Sequence, residues 1–294
     1  PARPGGATLR EQEGGRSGEG PPAPGPVPVL MLHDVTPPGM SPKDPYSLDI
    51  DELSGLLDDL LALGWTTGSL ATLRAPGPEP GLAGDAAGPP ARCCLLTFDD
   101  AHRGVLQRAL PLLAARGMVG TIYAIAGRTG RDPRHLDGEE LRALAAAGWT
   151  LGTHGDSHRH LTGLDPDEVA AEWRDSRERL EELTGLPVVH GSLPGGRGGE
   201  RELLAARAAG LLSVATSRPG LWRSPRADFA IPRLVARRSL RGHRLRRALD
   251  GAPASLLPAR GRYAALGLVQ RLLGDPLYDR VRELLTGWRA GARG

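Results

Sequence analysis

Cysteine is nearly absent: Cys93 and Cys94 are the only two, and they are adjacent. Neighbouring side chains on a strand point to opposite faces, so a mutual disulfide is disfavoured and no disulfide framework holds the fold. Both thiols read as small buried hydrophobes in a chain that a reducing compartment permits. Aromatic residues are scarce, with two Phe, four Tyr and five Trp, and none interleaves with the late arginines. Stacking on nucleic-acid bases is therefore poorly supported. No run of about 20 apolar residues occurs, which argues against a membrane-spanning helix. Residues 1–28 lack the basic-then-apolar order of a secretory leader, so a cytoplasmic or membrane-peripheral location is the expectation. Secretion stays open, because the chain does not begin with Met.

Forty percent of the 294 residues are hydrophobic, enough for a sizeable core. The 41 Gly and 27 Pro mostly punctuate apolar runs. Residues 1–26 are the exception, with almost no large apolar side chain, and read as a disordered tail. The net charge of +3 has its excess late, in Arg233, Arg237, Arg238, Arg241, Arg244, Arg246 and Arg247. That cluster reads either as a solvated helix face or as a contact for phosphate, nucleic acid or an anionic membrane.

From Val27 the pattern alternates. Apolar runs predict buried strands over 27–32, 65–67, 92–98, 118–126, 149–152, 187–193 and 211–216. Helical spacing predicts helices over 49–63, 104–116, 137–147, 165–184 and 200–209, with a Pro/Gly-rich loop over 74–92. Two further helices are expected around 263–273 and 278–288. Alternating units with short links imply a parallel sheet or a β/α barrel. In such folds ligands gather where strands end in loops. His33, Asp99, Asp100, His154, His158 and the Pro194 loop all follow expected strands.

Asp99 and Asp100 repel each other unless a cation or proton lies between them, so one reading is a metal ligand beside a base. The other is a pair that opens a turn and caps a helix. His154 and His158 stand at i, i+4, a spacing at which two imidazoles meet on one face of a helical turn and hold a divalent metal. With an aspartate they make a His₂Asp set with open positions, the hallmark of catalytic rather than structural sites.

Thr97-Phe98-Asp99-Asp100 followed by His154-x-x-x-His158 resembles the polysaccharide deacetylase family, carbohydrate esterase family four, whose domain is the NodB-homology domain. The likeness spans about Val27 to Leu234 and implies a distorted (β/α) barrel of about seven strands. The division expected is a tail over 1–26, a catalytic domain over 27–240 and a helical extension over 241–294. The resemblance assigns Asp100, His154 and His158 to a divalent metal; zinc fits the set, as do other divalent ions. It makes Asp99 the general base in hydrolysis of an N-acetylated sugar in a polysaccharide or glycolipid precursor. A backbone N–H near Pro194 would serve the oxyanion.

The family's Gly after the Asp pair is Ala101 here, and its Arg-x-Pro-x-Gly motif reads Ser192-Leu193-Pro194-Gly195-Gly196, with Ser in place of the base-orienting Arg. Arg197 stands close by. The family's Leu-x-His acid has no match as written, which leaves His243 and His33 as the candidate acids. Asp34, His102, Pro194, Gly195, Gly196 and Arg197 are the candidate substrate contacts. The alternatives are a carbohydrate-binding protein on the same fold without turnover, and a nucleic-acid or membrane-surface module using the late arginines. No nucleic-acid partner is expected; a peripheral membrane contact through the arginine-rich segment stays open.

Overall fold

Fully apolar runs such as Val29-Leu30-Met31-Leu32 and Cys93-Cys94-Leu95-Leu96 suit strands buried on both faces, as parallel sheets require. In the computed structural model, which describes residues 26–40, 42, 44–74, 92–224 and 227–286, these runs form a parallel sheet. Its strands are β1 (Val29–Leu32), β4 (Thr66–Thr67), β5 (Cys93–Phe98), β6 (Thr121–Ala124), β7 (Thr150–Thr153), β8 (His190–Ser192), β9 (Ser213–Ala215), β10 (Ala230–Ile231) and β11 (Leu234–Val235). A small separate pair joins β2 (Val35–Thr36) to β3 (Leu48–Asp49). The sheet order is β10-β9-β8-β7-β6-β5-β1-β11, with β4 branching from β5. Its end strands, β10 and β11, are separated in sequence only by Pro232 and Arg233. That dipeptide bridges the two edges of the curled sheet, and the expected β/α barrel is the fold observed. The expected tail over 1–26, apart from residue 26, and most of the loop over 74–92 lie outside the described residues.

The helices are set by local signals. Asp49, Asp137 and Asp165 each cap a helix in a reciprocal box with Glu52, Glu140 and Glu168. They open α1 (Ile50–Ala62), α4 (Gly138–Ala146) and α5 (Pro166–Thr184). Between them lie α2 (Leu70–Arg74) and α3 (Leu110–Ala114), the latter entered through a π-helical turn over Val105–Ala109. The expected helix over 104–116 is thus two pieces. After α5 come α6 (Glu200–Ala208), α7 (Gly242–Leu249) and α8 (Pro253–Thr286). Where two C-terminal helices were expected, α8 runs as one; the last residues of the second lie outside the described chain.

Strand alternation sorts side chains into two cores. Cys94, Leu96 and Phe98 face outward, packing with α1 residues such as Leu53 and Leu57. Cys93 and Leu95 face inward with Val29, Tyr123, Ala215 and Ile231. The two cysteines are free and on opposite faces, as expected. The alternation that points Cys93 and Leu95 inward carries on through Thr97 to Asp99.

Candidate active site

Immediately after β5 the backbone turns through left-handed conformations at Asp100 (φ 71°) and Ala101 (φ 56°). Together with His158 (φ 63°) these are the only non-glycine residues with positive φ among the described ones. Each such residue costs about 1–2 kcal/mol, and all of them sit in one place. The turn is fixed by two backbone bonds: Asp99 N–H donates to Leu32 C=O and Leu136 N–H to Ala101 C=O, both at 2.9 Å. Ala101 therefore occupies the left-handed position for which a glycine is suited.

The segment from His154 to His158 follows β7 but is not helical. Positive φ at Gly155 and His158 rules out a continuous turn of helix, so the expected one-face geometry is replaced by a folded loop. Glu172 of α5 shapes that loop: its carboxylate accepts from the backbone N–H of Asp156 (2.8 Å) and Ser157 (3.0 Å) and from the Ser157 hydroxyl. Sequence reading missed this residue. Its signal was an acid on the buried stripe Val169, Glu172, Trp173, Ser176 and Leu180.

The two loops converge. Asp100 Oδ1 lies 3.2 Å from His158 Nε2 and 3.5 Å from His154 Nε2. One ligand atom from each of the three residues lies within 4.8 Å of the others. Asp100 Oδ1 is buried and receives no hydrogen bond of good geometry. The nearer nitrogen, Nδ1, of His154 donates to Ser192 C=O at 3.0 Å, which leaves Nε2 as the lone-pair atom. Burial pushes the His154 imidazolium down to about 4, so the ring is neutral at pH 7, the form a metal needs. Burial opposes ionisation of Asp100, but His158 and His33 outweigh it and hold the carboxyl well below its ordinary range. The neutral His154 ring and the His158 ring around a buried, under-satisfied carboxylate oxygen fit a divalent cation.

On the other side of the same carboxylate, His33 Nδ1 stands 3.4 Å and His102 Nε2 3.5 Å from Asp100 Oδ2. His33 stacks on Tyr46 with ring centres 4.9 Å apart, and His102 lies 4.7 Å from the His135 ring. Burial would depress the His102 imidazolium, but its hydrogen bond to Asp100 and that group's charge raise it.

Asp99 is 2% exposed and is gripped from one side by Arg233. Arg233 Nη1 donates to Oδ1 at 2.7 Å and Nη2 to Oδ2 at 2.8 Å. The Ser192 hydroxyl donates to Oδ2 at 3.3 Å and accepts from Arg233 Nη2 at 3.0 Å. Thr216 C=O accepts from Arg233 Nε, so the guanidinium is fixed at both ends. Burial would raise the Asp99 carboxyl; Arg233, with His154 and His33, more than offsets this and holds it below its usual value. Sequence reading placed Arg233 in the late arginine cluster, where a solvated helix face was one reading. The structure corrects this: Arg233 is 1% exposed and lies between two strands. The available signal was its setting, Ala230-Ile231-Pro232-Arg233-Leu234-Val235, a lone charge in an apolar run.

The other candidate residues are distributed as follows. Pro194–Gly196 forms a tight turn after β8, with Gly195 against the His160 ring and Gly196 C=O accepting from Ser217 N–H. Arg197 turns toward α8, where Nη2 donates to Tyr263 C=O at 3.1 Å and the guanidinium lies 4.4 Å over the Tyr263 ring. Asp34 Oδ1 accepts from Val35 N–H; burial pushes its carboxyl up against the pull of His102. His243 is exposed on the first turn of α7, and no hydrogen bond or ion pair joins it to the cluster.

Comparison with known proteins follows the same lines. The family model described as polysaccharide deacetylase matches residues 86–214. The Bacillus subtilis protein YxkH, assigned to the polysaccharide deacetylases, is 31% identical over 146 residues, which are 50% of this chain and 52% of YxkH. The alignment thus spans about half of that relative. The Streptococcus pyogenes deacetylase PplD, solved with acetate, superposes with a TM-score of 0.66 at 19% identity, covering 77% of this chain and 99% of that one. IcaB from Ammonifex degensii gives 0.61 at 22% identity, covering 72% and 92%. These two share the fold, and the ordered Asp-Asp and His-x-x-x-His motifs fall within the matched segment. The likeness to the polysaccharide deacetylase family is thus carried by residues 86–214, on a fold shared with solved deacetylases.

Proposed function

We propose that this protein is a metal-dependent deacetylase that hydrolyses the acetamide of an N-acetylated sugar in a glycan or glycolipid precursor. The observation that carries the reading is the Asp100–His154–His158 cluster beside a buried aspartate held ionised by Arg233. A divalent ion bound there, zinc being suited to two imidazoles and a carboxylate, would polarise the acetyl carbonyl and acidify a water. Asp99 takes a proton from the attacking water, its lone pairs oriented by Arg233 and Ser192. His33 and His102 orient the ligand Asp100 through its second oxygen. The proton that the leaving amine requires is assigned to His33, which stacks on Tyr46 beside Asp100; His243 is the competing acid. The balance is amide plus water to free amine plus acetate, the molecule in the PplD structure.

The reading of a binding protein without turnover rested on Ser192 standing where the family has Arg and on the missing Leu-x-His motif. Arg233 supplies a guanidinium to the same carboxylate, which answers the first of these. The test couples elemental analysis with acetate release from N-acetylhexosamine oligomers. One divalent ion per chain and acetate release abolished in Asp99→Ala are expected. A metal-loaded protein that releases no acetate from any such oligomer overturns the reading.

A further inference from the structure

The late arginines are two sets. In the stretch after β11, Arg238 pairs with Glu52, Arg241 with Asp59 and Arg246 with Asp250. Arg237, Arg244 and Arg247 do not. They turn instead into a groove of about 620 Å³, joined there by Arg262 of α8. Among the described residues no aspartate or glutamate lines this groove, and none of these four arginines has a carboxylate partner. Arg237 is half-buried; burial and the like charge of Arg262 both oppose its ionised form.

Cations gathered in a concavity without counter-ions repel one another, and low-dielectric walls strengthen the field. The sequence has compensated nearby arginines and left these bare. A patch of this kind is organised for an anion, and planar guanidinium groups suit phosphate oxygens. The same groove has an apolar wall of Leu234, Leu240, Leu256 and Leu266. It also shares Tyr46, Gly195 and Arg233 with the catalytic rim. Anion site, hydrocarbon wall and catalytic cluster are therefore continuous. Arg244, Arg247 and Arg262 are exposed, as Arg246 is, but a flat membrane contact would leave the half-buried Arg237 unexplained.

We infer that this groove is the subsite for a phosphate ester carried by the substrate, with the phosphate among Arg237, Arg244, Arg247 and Arg262 and a hydrocarbon group against Leu240, Leu256 and Leu266. The substrate class is then a lipid-linked acetamido-sugar phosphate. Placement of the sugar rests on the deacetylase reading; the anion site does not.

Calorimetric titration of the metal-loaded full chain separates the two. The probes are inorganic phosphate, decyl phosphate and neutral N-acetylglucosamine oligomers, repeated after chelation so that phosphate on the metal is recognised. Decyl phosphate is expected to bind at least about tenfold tighter than inorganic phosphate, independently of the metal. Its affinity should fall by about tenfold or more in the Arg237→Gln/Arg262→Gln double variant. Arg237→Lys, which keeps the charge, should retain binding, and so should Arg174→Gln, which removes one positive charge from exposed α5. A dissociation constant within about twofold across all variants overturns the anion site. Decyl phosphate no tighter than inorganic phosphate overturns the lipid-linked class. Binding of anionic vesicles that survives the double variant, with no decyl phosphate binding, assigns the arginines to a membrane surface and also overturns the proposal. Acetate release without phosphate binding would sink the groove alone. Phosphate binding without acetate release from any oligomer would sink the deacetylase reading alone.

Discussion

Replacing Arg233 with Met tests the catalytic arrangement at its tightest contact. The guanidinium makes two parallel bonds of 2.7 and 2.8 Å to Asp99, both groups being nearly inaccessible to water. Removing one member of such a pair leaves a buried charge, a loss of about 3–5 kcal/mol. The carboxyl escapes part of that cost by taking a proton, since burial already favours its neutral form. Stability of Arg233→Met should therefore lie below wild type at pH 7, with the gap narrowing in acid. A base that is protonated at neutrality cannot work, so the acid limb of the pH–rate profile moves to higher pH. Activity near neutrality falls by about ten- to a thousandfold. The double variant Asp99→Asn/Arg233→Met removes both charges and should recover much of the stability but no activity. Denaturant unfolding and acetate release against pH are the assays. A single variant that loses less than about 1 kcal/mol and keeps its acid limb would refute the reasoning.

Asp100→Ala or His154→Ala should lower bound divalent ion from about one per chain to near zero by elemental analysis, and with it the melting shift on metal addition. Acid should destabilise the fold through its buried histidines. His154 and His135 are both pushed down to about 4 by burial. Unfolded imidazoles take protons below their ordinary value of about 6.5, while the folded ones refuse until about 4, so stability drains as pH falls through that window. For fully buried His154 the loss reaches about 3 kcal/mol, read as a falling melting temperature between pH 7 and 4.5. His33→Gln is expected to remove the basic limb of the rate profile and His243→Gln to leave it; the reverse would transfer the acid role. Ala101→Gly should be nearly neutral in unfolding free energy. It relieves left-handed backbone worth about 1 kcal/mol but forfeits a buried methyl worth about 0.8 kcal/mol.

The barrel and most of its rim were legible in the residues. Runs such as Cys93–Phe98 are apolar on both faces, and the capping pairs Asp49/Glu52, Asp137/Glu140 and Asp165/Glu168 mark helix starts without tertiary help. The Asp100–His154–His158 cluster was legible because its residues fall in two short motifs. What was not legible depends on distance along the chain. Arg233 meets Asp99 across 134 positions, outside the segment that the family model matches. Glu172 meets Ser157 across a whole connection; the α5 stripe marks it as a buried acid but does not name its partner. The His154–His158 loop misled because i, i+4 spacing suggests helix, whereas Gly155 and a left-handed His158 fold it otherwise. The late arginines could be counted but not sorted, since only packing reveals which meet a carboxylate.

The dipeptide Pro232-Arg233 has one more implication, for assembly. On its N-terminal side β10 docks on β9; on its C-terminal side β11 docks on β1. The guanidinium that keeps Asp99 ionised therefore arrives only when the first and last edges of the sheet have been brought together. A half-wound intermediate that already holds the Asp100 turn and the His154–His158 loop would still have Asp99 without its counter-charge. On the proposed function, competence for hydrolysis is tied to completion of the cylinder, and a chain cut before residue 230 would retain Asp100, His154 and His158 while losing the group that arms Asp99.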